Sequence, residues 1–229
     1  MALPLKLPSQ CEVCRLWGSS ALCTECIARH AAPLPRCARC GLRLGLAAPA
    51  CGDCQRAPPA YLRTVCAADY GFPWDRLVGA LKFHGRPELA APLAALMAQA
   101  WHRAGQAAAQ VVLPVPLGPV RLAQRGYNQA WELARRAAAA VGRPAQPQLL
   151  LRPLDATPQA ELGRSERQRN LASAFMVDPR RRAELLGRHV ALVDDVMTTG
   201  ATAQAAATVL LRAGAAAVDV WVLARTPAH

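Results

Sequence analysis

A chain of 229 residues has room for one ordinary domain and a small module, and a hydrophobic fraction of 53% supplies a buried core, which argues against a disordered chain. Its 27 Lys and Arg against 15 Asp and Glu leave a formal charge of +12, suited to polyanionic partners such as nucleotide-like ligands or nucleic acid. The cations are nearly all arginine, Lys6 and Lys82 being the only lysines, and alanine is abundant, so the same charge also fits an ordinary solvated surface.

The opening M-A-L-P-L-K-L-P-S-Q breaks any apolar run with Lys6 and prolines, and no stretch reaches the roughly 18 apolar residues of a membrane span. A soluble, cytoplasmic protein with no membrane span is expected. Next come four C-x-x-C pairs: Cys11 and Cys14, Cys23 and Cys26, Cys37 and Cys40, Cys51 and Cys54. Without an export signal, repeated knuckles supply thiolates for two closed, structural tetrahedral Zn²⁺ sites better than they supply disulfides. Sequence neighbours put Cys11, Cys14, Cys23 and Cys26 on one ion and Cys37, Cys40, Cys51 and Cys54 on the other, although a cross-braced pairing is equally legal. The module is either a docking or nucleic-acid-binding ribbon or a metal-stabilised appendage. A-P-P-A at 57–60 reads as a linker, dividing a double zinc-ribbon module at 1–57 from a second domain at 61–229. Cys66, in the strand-like T-V-C-A-A-D-Y, reads as a small buried hydrophobe.

From Thr64 the pattern alternates between strands and helices. Trp74, Leu77, Val78 and Leu81 share one helical face over 74–83, with Lys82 at its end beside His84, Gly85 and Arg86. A second helix is expected over roughly 88–104, with Pro92 in its first turn. Val111–Leu113 forms a short buried strand that stops at the proline-rich loop Val115, Pro116, Leu117 and Gly118; in an open α/β sheet such a loop borders the ligand crevice. R-L-A-Q-R-G-Y-N-Q-A then puts Arg121, Arg125, Asn128 and Gln129 ahead of an amphipathic helix running to about Val141, either as caps or as anion contacts. Residues 152–175 are the most polar stretch, read as a lid or disordered.

The densest signal is V-A-L-V-D-D-V-M-T-T-G-A-T at 190–202. Val190–Val193 predicts a buried parallel strand with Asp194 and Asp195 at its carboxyl end. Thr198, Thr199, Gly200 and Thr202 open an Ala-rich helix to Arg212, which makes the turn a phosphate cradle. Acids that accept from hydroxyls beside a turn that holds a phosphate describe a sugar phosphate such as ribose 5-phosphate. Ala217–Leu223 supplies a last strand, completing β-α-β.

The stretch resembles the phosphoribosyl-pyrophosphate (PRPP) signature of type I phosphoribosyltransferases. Together with the C-x-x-C tetrad, L-K-F-H-G, P-V-P-L, R-G-Y-N-Q-A and T-P-Q…R…N, it resembles the ComF family of competence-associated proteins over nearly the whole chain. The resemblance implies an α/β type I phosphoribosyltransferase fold, a parallel sheet flanked by helices with a small hood, behind the zinc ribbons. It also implies a link to single-stranded DNA and to DNA-uptake or helicase-like partners in natural transformation.

Carried over by position, Asp194 and Asp195 bind the ribose hydroxyls as catalytic acids, and Val196, Met197, Thr198, Thr199, Gly200, Ala201 and Thr202 wrap the 5-phosphate. Val115–Gly118 is the pyrophosphate loop and Thr157–Asn170 the flexible loop. Mg²⁺ accompanies PRPP, and Lys82 and Arg125 meet pyrophosphate or DNA. Enzymes acting on 6-oxopurines resemble E-D-x-x-D-T-G, whereas Thr198 stands here in place of the third acid, which disfavours hypoxanthine or guanine as acceptor. Two functions are implied: transfer of phosphoribose to an unidentified acceptor with pyrophosphate release, or a non-catalytic PRPP-sensing or single-stranded-DNA-binding adaptor. With aromatics at 5%, base stacking has few residues to draw on, Trp17 and Tyr61 among them.

Overall fold

The computed structural model describes residues 8–46, 48–105, 108–153 and 174–228; the flexible loop expected at Thr157–Asn170 lies outside the described residues. In the cysteine region, β1 (Ser9–Gln10) pairs antiparallel with β2 (Trp17–Gly18), followed by α1 (Thr24–His30) and α2 (Gly52–Arg56). The larger part runs β3 (Arg63–Asp69), α3 (Trp74–Phe83), α4 (Ala90–Arg103), β4 (Val111–Pro114), α5 (Pro119–Arg125), α6 (Gln129–Ala140), β5 (Leu150–Leu151), β6 (Met176–Val177), β7 (His189–Met197), α7 (Ala201–Arg212) and β8 (Ala217–Arg225).

Four of these strands make a parallel sheet in the order β3-β8-β7-β4, so β8, the last of the described strands, lies inside the sheet. Both faces are covered, which is why its strands read as continuous apolar runs. Successive residues of β7 divide between the faces. Val190 and Leu192 join Leu113, Val220 and the Ala-rich side of α7, while Ala191 and Val193 join Trp221, Leu223 and the apolar sides of α3, α4 and α6. β4 and β7 are neighbours whose following helices, α6 and α7, cover opposite faces. That is the arrangement that opens a crevice at the carboxyl ends of the strands.

Three elements differ from the sequence pattern. The signature strand does not stop at Val193: β7 continues through both acids to Met197, because its ladder with β8 runs on to Val196↔Ala224 and Met197↔Arg225. Proline 119 starts a separate short helix, α5, closed by Gly126 at φ 78°, a left-handed position where glycine meets no Cβ penalty. The second long helix begins at Ala90 after a 3₁₀ turn over Pro87–Leu89.

The cysteine region is built into this core. Leu22 and Ala31 are buried with Leu77, Leu81 and Leu93, and Val13 and Ile27 pack beside them. Trp74 Nε1 donates to the His30 carbonyl at 2.8 Å, and Arg86 reaches Glu12 with two guanidinium bonds of 2.7 and 3.0 Å that hold the Glu12 carboxyl below its usual range. Among the described residues no helix is long and apolar enough to cross a membrane.

Candidate functional site

The carboxyl ends of β4 and β7 open onto a cleft of about 820 Å³ that collects most of the residues the sequence singled out. Val115–Leu117, Asp194, Asp195, Val196, Thr202, Lys82, Arg121, Arg125 and Gln129 line it, joined by Phe83, Gly85, Gln124 and Arg152. Met197 faces the core instead, whereas Thr198 and Thr199 are exposed. A smaller recess beneath the turn is lined by Asp194, Val196–Thr198 and Gly200–Ala203.

The strand ladder sets the acids. Asp194 Oδ1 accepts from the Asp195 N–H at 2.9 Å, and Asp195 Oδ1 accepts from the Val196 N–H at 2.7 Å. Asp195 is only 2% exposed and pairs through Oδ2 with Lys82 Nζ at 2.9 Å, so the ammonium at the end of α3 is spent on this carboxylate. Burial first, then the neighbouring Asp195 charge, push the Asp194 carboxyl well above the usual carboxylate range. Beyond them Gly200, at φ 82°, turns the chain into α7, and Thr199 Oγ1 accepts from the Ala201 N–H at 3.3 Å. The first turn of a twelve-residue helix therefore presents N–H groups beside the cleft.

R-G-Y-N-Q-A is largely a construction joint. Asn128 caps α6 by accepting from Ala130 N–H at 2.9 Å, while its Nδ2 donates to the Val115 carbonyl at 3.0 Å. Val115 N–H in turn bonds Val193 O at 2.8 Å, fixing the loop against the signature strand. Tyr127 Oη donates to the Leu81 carbonyl, tying the joint to α3. Gln129 and Arg125 do face the cleft; Gln129 Oε1 accepts from Arg125 Nη1 at 2.5 Å, and the guanidinium lies 5.0 Å over the Phe83 ring.

Each cysteine set closes in sequence order. The Sγ atoms of Cys11, Cys14, Cys23 and Cys26 lie within 4.8 Å of one another, as do those of Cys37, Cys40, Cys51 and Cys54, which removes the cross-braced alternative. Cys14 Sγ and Cys23 Sγ stand 3.7 Å apart, as do Cys40 Sγ and Cys51 Sγ. Zn–S bonds of about 2.3 Å in a tetrahedron set sulfurs about 3.8 Å apart, so the residues fit a Cys₄ ion. Burial raises the Cys11 and Cys37 thiols, but backbone N–H groups outweigh it and bring them down, whereas burial and the neighbouring sulfurs push Cys26 and Cys54 up, the repulsion among crowded thiolates that a bound cation would relieve. Cys66 is apart from both sets; burial pushes its thiol up to about 11, in keeping with an inert residue.

No family model matches the chain. It is 36% identical over 232 residues to the DNA utilization protein YhgH of Salmonella typhi, spanning 97% of this chain and 99% of that protein. It is 31% identical over 212 residues to competence protein F of Haemophilus influenzae, spanning 91% and 92%. The chain belongs to the ComF family. Its parallel sheet with helices on both faces is the α/β architecture expected of a ComF protein, preceded by two Cys₄ clusters. Among solved structures it is similar to the glutamine PRPP amidotransferase of B. subtilis complexed with ADP and GMP, at 20% identity and a TM-score of 0.43. That likeness covers 63% of this chain but 30% of the amidotransferase, so the ComF chain spans under a third of that protein's length.

Two residues escaped sequence reasoning. Arg152 lies in the cleft with its guanidinium 5.4 Å over Phe175, inside a polar stretch whose charge seemed to belong to later arginines. Tyr61, named with Trp17 as one of the few residues base stacking could draw on, is 3% exposed and packs among the buried residues around α7, whereas Trp17 is 71% exposed. An aromatic beside a proline linker carries no local sign of burial.

Proposed function

We propose that this ComF protein binds PRPP with Mg²⁺ and transfers phosphoribose to an acceptor, releasing pyrophosphate, in the service of DNA uptake. The observation that carries the reading is the meeting of Asp194 and Asp195, the first turn of α7 and the loop residues Val115–Leu117 around one cleft, Gly118 standing instead at the N-cap of α5. The acids would accept from the ribose 2- and 3-hydroxyls, the turn from Val196 to Thr202 would hold the 5-phosphate, and Arg121, Arg125 and Arg152 would face the pyrophosphate. As C1 loses pyrophosphate, negative charge on Asp195, and on Asp194 once the bound cation ionises it, would favour the oxocarbenium-like state. Asp194 offers an oxygen suited to a hard cation, and Mg²⁺, held otherwise by ligand oxygens, would offset the leaving group's charge. Zn²⁺ in the two Cys₄ sets would organise residues 1–57 as a ribbon module beside the 61–229 domain.

A second reading rests on the Lys82–Asp195 pair: an acid already neutralised holds a ligand better than it stabilises a cation. In that reading the protein is a PRPP-sensing or single-stranded-DNA-binding adaptor, its excess positive charge meeting the DNA.

PRPP and Mg²⁺ with a panel of bases and amines, following pyrophosphate release, separates the two. Acceptor-dependent release by wild type and its loss in Asp195→Asn is the expected outcome. PRPP binding with no release would hand the site to the adaptor reading, whose DNA affinity should fall steeply as salt rises.

A further inference from the structure

The phosphate turn is held from behind as well as from the cleft. Arg225 ends β8, only 8% exposed, in register with Met197. Its Nη1 donates to the carbonyls of Met197 at 3.2 Å, Thr198, and Thr226 at 2.7 Å, and its Nε donates to the Cys40 carbonyl at 3.0 Å. Cys40 is the second residue of the knuckle whose sulfur lies 3.7 Å from that of Cys51. One guanidinium thus spans the second cysteine cluster and the two residues that lead into Thr199 and Gly200.

Two further contacts bind the same turn to the linker. A Cβ at Gly200 would sit 3.2 Å from the Tyr61 hydroxyl, so the turn abuts that ring, and Ala60 N–H donates to Gln204 Oε1 in the first turns of α7 at 2.8 Å. A cleft of about 880 Å³ lies along this seam, lined by Cys40, Cys54, Tyr61, Thr199, Gly200 and Arg225 among others. Arginine suits this job, because its planar guanidinium holds Nε towards Cys40 and Nη1 towards the turn in fixed directions, where a lysine ammonium gathers its donors at one point.

We propose that Arg225 is a positioning residue that transmits the order of the Cys37–Cys40–Cys51–Cys54 cluster to the phosphate turn at 196–202. The inference rests on reading that turn as the 5-phosphate site, but its central claim, that the turn is ordered through Arg225, is testable without ligand. A carbonyl held by a charged donor fixes the peptide plane whose N–H belongs to the next residue. Arg225 therefore sets the N–H direction of Thr199 and shares that of Thr198 with the Thr226 N–H, which bonds the Met197 carbonyl at 3.0 Å; Arg225 does not itself line the 820 Å³ cleft. The first cluster makes its contacts with α3 and Arg86 instead, so the coupling belongs to the second cluster.

The test uses the full metal-loaded chain as wild type, Arg225→Lys and Arg225→Met. Amide hydrogen exchange without ligand is followed at 196–202, with 190–193 of the same strand as the control. Expected is exchange faster by about tenfold or more at 196–202 in Arg225→Met, smaller in Arg225→Lys, with the control unchanged. Unchanged exchange at 196–202, or equal acceleration in both segments, would overturn the proposal. Should Arg225→Met fail to fold, Arg225→Lys carries the same comparison.

A second measurement follows the equilibrium partition of zinc between the protein and a competing chromogenic chelator, with and without PRPP. Because coupling between binding free energies is reciprocal, PRPP should tighten the binding of one of the two ions in wild type, and the gain should shrink in Arg225→Lys. An equal gain in the variant counts against Arg225. A wild type that binds no PRPP by calorimetry sinks the phosphate-site reading, while the exchange result still decides whether Arg225 orders the turn.

Discussion

The central strands β7 and β8 carry a buried aspartate near each end of the sheet, and the two live differently. Asp219, near the amino end of β8 and wholly buried, is clamped between the Arg63 guanidinium, with Nε at 3.0 Å from Oδ2, and the His189 imidazole, with Nε2 at 3.0 Å from Oδ1. Asp195, near the carboxyl end of β7, has one cation, Lys82, and beside it stand a second acid and an open cleft. A closed clamp holds a structure together. A half-neutralised pair of acids, with repulsion left in it, holds a demand that a ligand's hydroxyls and metal can meet. The difference separates the end of the sheet that stabilises from the end that binds.

Removing one cation at each end tests that contrast most directly. Arg63→Met leaves the fully buried Asp219 with His189 alone and should cost about 3 kcal/mol or more in urea unfolding at neutral pH. Lys82→Met strips Asp195 of its partner, but the cleft readmits water, and a smaller loss of about 1–2 kcal/mol is expected. Equal losses would break the comparison.

The smallest effect has the opposite sign. The Asp194 carboxyl is pushed up in the folded state, so the folded chain binds this proton more tightly than the unfolded one. Wild-type stability from this group is fully present below the unfolded value near 4 and is lost as pH rises through the folded value. Asp194→Asn should therefore match wild type in melting temperature at about pH 4 and exceed it by about 2 °C or more towards pH 8. A constant difference across that range would mean that repulsion between the acids is not its source.

Much of this was legible in the chain because it is written locally. Trp74, Leu77, Val78 and Leu81 do form the buried face of α3, and the four knuckles do pair as neighbours. Asp194 and Asp195 reach the cleft, but the strand passes through them, since a ladder with β8 overrides the weak strand preference of aspartate. What stayed hidden depends on distant partners. Arg225 reads as the last residue of an apolar strand, and nothing near it in the sequence names Cys40. The charge on Lys82 was visible, whereas its choice of Asp195 over a ligand anion required α3 to end beside β7.

The inner position of β8 also sets the order of assembly. As the chain leaves the ribosome, β3, β4 and β7 are all available before residues 217–225, yet β3 and β7 have no common neighbour until those residues arrive. The cysteine knuckles emerge before the sheet and can be metallated early, but Leu22 and Ala31 share their core with Trp221 and Leu223. The sheet is thus completed only once residues 217–225 have emerged, by a strand that brings Arg225 with it. A nascent chain halted before Ala217 would present two half-built sheet edges, a natural substrate for chaperones rather than a partly working protein.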